Sequence, residues 1–130
     1  RLGRRAKVHE VEVREAARAP TRAVQLADEA DRLRARIPPR ARVVALAREG
    51  SGWTSAELAE RFARWEADAR PLAFLIGGST GLDPGLVAES GSAWSLGPLT
   101  LPHELARVVV VEQLYRAGTI LRGEPYHQGR

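Results

Sequence analysis

Residues Thr54–Gly78 read T-S-A-E-L-A-E-R-F-A-R-W-E-A-D-A-R-P-L-A-F-L-I-G-G, and their reading decides the fold class. Thr54 and Glu57 have the T-x-x-E spacing of a capping box, in which each side chain satisfies a backbone amide that the first helical turn leaves open. Leu58, Phe62 and Trp65 then fall on one helical face. Leu72–Ile76 is a short, wholly apolar run, the pattern of a buried strand, and Gly77-Gly78 ends it. A capped amphipathic helix followed by a buried strand is a repeating unit of a parallel sheet.

Outward from this stretch the same alternation continues. Arg42–Ala47 (R-V-V-A-L-A) predicts a short buried strand, and Glu49–Trp53, with two glycines, predicts a loop. Thr21 can cap a helix in which Leu26, Ala30, Leu33 and Ile37 recur at steps of four, three and four, and Pro38-Pro39 ends it. Lys7–Val13 alternates valine with charge, as a strand with one wet face does, and His9 within it reads as structural. Arg14–Arg18 carries no element signal. Downstream, Asp83-Pro84 reads as N-cap and first turn of a short helix. Trp94–Leu96 reads as a brief third buried strand.

Pro102 opens a last helix running to about Leu121, with Gly123 beyond it. Val108–Val111 is a β-branched run that locally favours a strand, but the start signal and the length of the apolar stretch decide for helix. A helix apolar almost all round is expected to be buried. The class is therefore α/β, with a mainly parallel sheet, in a single domain over residues 1–130.

Composition narrows the functions. The chain has 130 residues, 44% apolar and 28% charged, which fits one globular domain. Cysteine is absent, which excludes disulfides, thiolate catalysis and zinc–thiolate sites. No apolar run approaches a membrane span, and the basic start lacks an apolar signal core, so a cytoplasmic protein is expected. Methionine is absent even at position 1, so a segment preceding Arg1 is expected. Net charge is +4, and every basic residue except Lys7 is arginine. A basic, arginine-rich surface suits a phosphate-rich partner, although a codon-biased proteome is the simpler explanation of the arginine excess by itself.

Chemistry can sit in a few places. Phe74–Gly78 followed by Ser79–Leu82 puts two glycines at the carboxyl end of a strand, where ligands bind in open α/β sheets. It is neither a P-loop nor G-x-G-x-x-G, and by itself it reads as a tight turn. W-S-L-G-P-L-T-L-P-H, Trp94–His103, is a proline-stiffened loop whose backbone groups cannot all pair in regular structure, so it can present them to a flat heterocycle or serve as a rigid connector. His103 stands at the start of the last helix, where partial positive charge favours a neutral imidazole able to accept a proton. Glu112 and Arg116 are four apart on that helix. As an exposed pair they are worth roughly 0.2–0.5 kcal/mol, but charges on an otherwise apolar helix, with Tyr115 adjacent, point to a cavity or interface. The tail G-E-P-Y-H-Q-G-R, Gly123–Arg130, can stack on a base and pair with phosphate. No His/Asp/Glu set has metal-ligand spacing, and the elbow G-x-S-x-G is absent.

Leu75–Leu82 (L-I-G-G-S-T-G-L), Trp94–His103, Arg107–Ala117 (R-V-V-V-V-E-Q-L-Y-R-A) and Pro125–His127 (P-Y-H), in this order and spacing, resemble the ribosomal large-subunit pseudouridine N3-methyltransferase H family of the SPOUT superfamily. The resemblance covers nearly the whole chain. It implies an α/β fold with helices on both faces of the sheet and a C-terminal trefoil knot. It also implies S-adenosylmethionine as methyl donor, S-adenosylhomocysteine as product, and no metal. The implied assembly is a homodimer acting on a pseudouridine of 23S rRNA in the 70S ribosome, with no membrane.

Carried over residue by residue, Leu46, Gly78, Gly97, Pro98, Leu99, Thr100, Leu101 and Pro102 match the cofactor contacts. His103, Glu112, Arg116, Tyr126 and His127 match positions at the target nucleotide, with His103 and His127 both candidates for the general base. Ser79-Thr80 stands where the family often has Pro-Glu, the tail after Tyr126-His127 departs from the common basic residue, and the family normally opens with a strand before Arg1. A non-catalytic basic α/β module that binds RNA or ribosome, and a mononucleotide-binding α/β protein, are the competing readings.

Overall fold

A computed structural model describes residues 8–9, 21–77 and 81–128, of which 8, 9, 127 and 128 are described by their backbone alone. Four strands form one sheet: β1 (Val8–His9), β2 (Arg42–Gly52), β3 (Leu72–Leu75) and β4 (Ser92–Ser95). Their order is β1-β3-β2-β4, and every neighbouring pair is parallel. Four helices connect or follow them: α1 (Arg22–Arg36), α2 (Ser55–Asp68), α3 (Pro84–Glu89) and α4 (His103–Leu121). Of the strand expected over Lys7–Val13, only Val8–His9 falls in the described residues, and Arg14–Arg18 lies outside them.

The helix starts follow from their capping chemistry. Thr21 Oγ1 accepts from the Val24 amide at 3.1 Å. At α2 the capping box is complete: Thr54 Oγ1 accepts from the Glu57 amide at 3.0 Å, and Glu57 Oε1 accepts from the Thr54 amide at 2.8 Å. Asp83 Oδ2 accepts from the Leu86 amide at 3.1 Å, with Pro84 in the first turn of α3.

Alternating strand residues face two separate cores, one on each side of the sheet. Val44, Leu72 and Trp94 pack with Leu58, Phe62 and Trp65 of α2 and Val110, Leu114 and Ala117 of α4. Val43 and Leu75 pack with Ala30, Leu33 and Ile37 of the α1 side and Leu86 of α3. A strand buried on both faces reads as a continuous apolar run, as R-V-V-A-L-A and L-A-F-L-I do.

Three expectations need correction. The predicted loop at Glu49–Trp53 is largely strand, because β2 runs on to Gly52. Leu46 and Ser51 both pair with Trp94, so the residues between them form an irregularity inside the strand. Gly50 makes this possible: a Cβ there would lie 2.5 Å from the Ala93 carbonyl carbon. The strand predicted at Trp94–Leu96 begins earlier, at Ser92, and ends at Ser95. The last helix is not buried all round. Leu105, Val108, Val111 and Tyr115 of α4 are 45–56% exposed, and they share one side of the helix.

After α4 the chain reverses through a Schellman arrangement. The Gly123 amide donates to Ile120 O at 3.1 Å and the Glu124 amide to Thr119 O at 2.9 Å, with Gly123 at φ 72°. Glycine takes that left-handed conformation without a Cβ penalty. The reversal lays a short 3₁₀ turn, Pro125–Gln128, back against α4.

Candidate functional site

Because the strands are parallel, their carboxyl ends share one edge of the sheet. The register pairs Ala45 with Leu75 of β3, and Leu46 with Trp94 of β4. Leu46, the turn at Ile76-Gly77 and the loop that leaves β4 therefore lie together at that edge. Gly78, Ser79 and Thr80 lie outside the described residues.

The two glycine-bearing loops differ. A Cβ on Gly77 would lie 2.4 Å from the Gly81 carbonyl carbon and oxygen and 2.8 Å from the Leu82 amide. The space beside Gly77 is thus filled by the chain's own backbone, and this glycine serves a tight turn rather than a ligand. Gly97 is the opposite case. Its φ is 120°, a conformation that residues other than glycine rarely adopt, and among the described residues nothing lies within 4 Å of where its Cβ would be. Ser95 Oγ fixes it by accepting from the Gly97 amide at 3.1 Å and donating to Gly97 O at 3.4 Å. The following residues, Pro98, Leu99 and Thr100, are exposed, Leu99 to 76%. Arg48, from the β2 irregularity, donates to Pro98 O at 3.3 Å. The irregular part of β2 after Leu46 and the loop Gly97–Pro102 are thereby joined across the sheet edge, with an open cradle at Gly97. Backbone groups beside an unfilled space suit the flat, polar heterocycle and amino-acid end of a nucleoside cofactor.

Beneath that edge four rings close on one another. Trp53 stacks on Trp94 (centroids 5.2 Å, 14° between planes), Trp65 lies 6.1 Å from Trp53, and Phe74 sits about equally far from Trp65 and Trp94. The Arg61 guanidinium covers Trp53 at 4.3 Å from the ring centre. This aromatic floor holds the β4 loop on the start of α2.

The second group of residues gathers on α4. Glu112 Oε2 accepts from Arg116 Nη2 at 2.6 Å, from Arg116 Nε at 3.1 Å and from the Tyr126 hydroxyl at 3.1 Å. Tyr126 meets Tyr115 edge-on at 4.9 Å, and the Arg116 guanidinium carbon lies 5.0 Å from the centre of the Tyr126 ring. Partial burial pushes the Glu112 carboxyl up, but the hydrogen bonds from Arg116 and Tyr126 and the Arg116 charge outweigh it, so the carboxyl is held below the ordinary carboxylate range. The bond to Glu112, with some burial and the carboxylate charge, pushes the Tyr126 phenol up. A carboxylate so fully engaged holds Arg116 and Tyr126 in place. It is poorly suited to taking a proton.

The structure thus brings Glu112, Arg116 and Tyr126 together, and Leu46 to the same edge as Gly97–Pro102. It does not bring His103 to Glu112. They stand nine positions apart on the helix, which is about 14 Å along the axis and roughly half a turn around it. The His127 side chain lies outside the described residues. Sequence reasoning missed Arg48, Ser55 and Gln113. Gln113 carried a usable signal, since it stands beside Glu112 in an otherwise apolar helix. Arg48 and Ser55 carried none, because their partners are distant in sequence. Among the described residues no group of three or more His, Cys, Asp or Glu could hold a metal, and no helix is long and apolar enough to cross a membrane.

Comparison with known proteins gives consistent results. The sequence profile of the family described as "Predicted SPOUT methyltransferase" matches residues 1–127. A protein of Anaeromyxobacter sp. (strain Fw109-5) called "Ribosomal RNA large subunit methyltransferase H" is 48% identical over 128 residues, 98% of this chain and 84% of the relative. Proteins of the same name from Polynucleobacter necessarius subsp. necessarius (strain STIR1) and Pseudomonas aeruginosa (strain LESB58) are 50% identical over 103 residues and 48% over 100. These matches cover 79% and 77% of this chain, and 76% and 64% of the relatives. The chain belongs to the SPOUT methyltransferase family.

Proposed function

We propose that this chain is an S-adenosylmethionine-dependent methyltransferase of ribosomal RNA that methylates N3 of a pseudouridine in 23S rRNA. The observation that carries the reading is the open cradle at Gly97, where exposed backbone is held at the sheet edge by Ser95 and Arg48. The names of the relatives supply the substrate class. The donor, when bound, supplies a methyl group already activated on a sulfonium.

What remains for the protein is position and one proton. Leu46 and Gly97–Pro102 line the donor side, and alignment of two reactants can supply on the order of 7–11 kcal/mol. Arg116, gripped through Nε and Nη2 by Glu112, keeps Nη1 for a phosphate or base oxygen. His103 or His127 takes the N3 proton, an effect of about 10²–10⁴-fold. Tyr126 offers its ring edge to the nucleotide.

Two further parts of the reading are supported by geometry. The exposed apolar side of α4, with Leu105, Val108 and Val111, suits a second copy of the chain. The 14 Å between His103 and Glu112 suits a site assembled from both copies. The C-terminal trefoil knot, the ribosome as the working substrate and a cytoplasmic location belong to the same proposal.

The test is mass mapping of 23S rRNA from cells with and without the gene, joined to calorimetry of metal-free protein with S-adenosylmethionine. The expected result is one methyl group lost on deletion, regained on incubating the deficient ribosomes with protein and donor. An unmethylated product with intact ribosome binding would leave a non-catalytic RNA-binding module instead.

A further inference from the structure

Glu112 is held from two directions. Oε2 faces Arg116 and Tyr126, whereas Oε1 accepts from Gln113 Nε2 at 2.8 Å. Gln113 in turn is fixed by α2, because Ser55 Oγ donates to Gln113 Oε1 at 2.6 Å. The acceptor-only Glu112 carboxylate decides the orientation of the amide: the Gln113 NH₂ turns to it, which leaves the Gln113 carbonyl oxygen to accept from the Ser55 hydroxyl. The contact between Gln113 and Glu112 is not one a helix provides unaided, since adjacent residues point about 100° apart and do not face each other. It requires an anchor outside α4, and Ser55 is that anchor. Ser55 is placed by its neighbours: it follows Thr54 in the completed capping box, and Trp53, two residues before it, is stacked on Trp94.

We propose that Gln113, anchored by Ser55, is a positioning residue that sets the Glu112 carboxylate and through it the guanidinium of Arg116 and the ring of Tyr126. This rests on the methyltransferase reading above for its kinetic consequence, but not for its structural one. Without Gln113, Oε1 returns to solvent, the Glu112 side chain gains alternative rotamers, and only the Tyr126 hydroxyl and the i,i+4 pairing hold it to Arg116. With it, the carboxylate has a single orientation, and the direction of Arg116 is set from the sheet edge through Trp94, Trp53, Ser55 and Gln113 in sequence.

Gln113→Leu keeps the volume between α2 and α4 and removes both ends of the relay. If the relay positions Arg116, kcat for methyl transfer falls about tenfold to a hundredfold, while the Kd for S-adenosylmethionine and the melting temperature stay close to those of the parent. In nitrogen-15 spectra the Arg116 Nε–H signal, expected to be distinct and slow to exchange in the parent because Nε donates to Glu112, moves to the position of a solvent-exposed arginine. Unchanged kcat with a lowered melting temperature would reduce Gln113 to a seam between helices and overturn the proposal. An unmoved Arg116 Nε–H signal would overturn it equally. Should Gln113→Leu fail to fold, Ser55→Ala deletes only the anchor and must move the same signal in the same direction. If the parent protein transfers no methyl group, the functional reading fails, and the Nε–H signal still decides the relay.

Discussion

Gly77 and Gly97 stand at equivalent places, just after the ends of β3 and β4, the two strands that flank β2, yet they meet opposite surroundings. At Gly77 an added Cβ collides with backbone at Gly81, which cannot swing aside as a flexible side chain can. Gly77→Ala is therefore expected to cost about 1–3 kcal/mol, read as a lower urea midpoint, with donor affinity per folded molecule unchanged. At Gly97 an added Cβ projects into empty space from a backbone at φ 120°. Gly97→Ala carries local strain of about 1–3 kcal/mol, and it also fills the cradle. Calorimetry should show S-adenosylmethionine affinity reduced about tenfold or more, since even one misplaced methyl group next to a bound ring costs contacts and water exclusion. An unaltered Kd in Gly97→Ala would remove the donor from this loop. The letters G-G and G-P announced bends in the sequence, but which glycine the chain itself fills depends on how the loops pack, and no local pattern carries that.

Elements were legible wherever their ends are chemically marked. Thr21, the Thr54–Glu57 box, Asp83-Pro84 and Pro102 begin helices in the structure as the sequence predicts. Thr54→Ala should accordingly cost about 1 kcal/mol, measured by thermal unfolding. Two elements were misread for a shared reason. Glu49–Gly52 is polar and glycine-bearing, so it read as loop, but Gly50 lies against the Ala93–Trp94 backbone and β2 continues. The α4 helix read as buried because it is apolar almost all round, whereas Leu105, Val108, Val111 and Tyr115 are 45–56% exposed. In neither case does the local pattern show what packs against the element. The Glu112–Arg116 pair was visible as a spacing. Its closure by Tyr126 depends on the Gly123 reversal, which folds the tail back. The tail's docking should depend on pH at both ends. Because the folded Glu112 carboxyl titrates below its ordinary range, its bonds contribute above the unfolded carboxylate value and are lost as pH falls through the folded one. Because the folded Tyr126 phenol is raised, its bond is fully present below the unfolded tyrosine value and is lost as pH rises through the folded one. Ultraviolet titration should show a phenol ionising above the ordinary tyrosine range, and Glu112→Gln should bring it back down. A high-pH phenol that ignores Glu112→Gln would mean that the tail does not dock on α4 in solution.

At the scale of the molecule, the residues of the proposed site are spread along α4. The open loop ends at Pro102 and His103, at the first turn, while Arg116 and Tyr126 gather more than two turns further along and on another side. The apolar stripe between them, including Val108 and Val111, is exposed. Covering that stripe with the same stripe of a second copy, related by a two-fold axis, buries it and sets the first turn of one α4 beside the later turns of the other. Light scattering should then give twice the chain mass. Val108→Glu should yield monomers that keep their secondary structure and lose methyl transfer. The sharper experiment mixes two inactive variants. Gly97→Asp spoils the donor loop of its own chain, and Arg116→Ala spoils the nucleotide-facing group of its own chain. If each site draws the loop from one copy and Arg116 from the other, a mixed dimer contains one site with both parts intact, and activity appears that neither variant shows alone. If each site lies within a single chain, every site in the mixed dimer carries one defect, and mixing restores nothing.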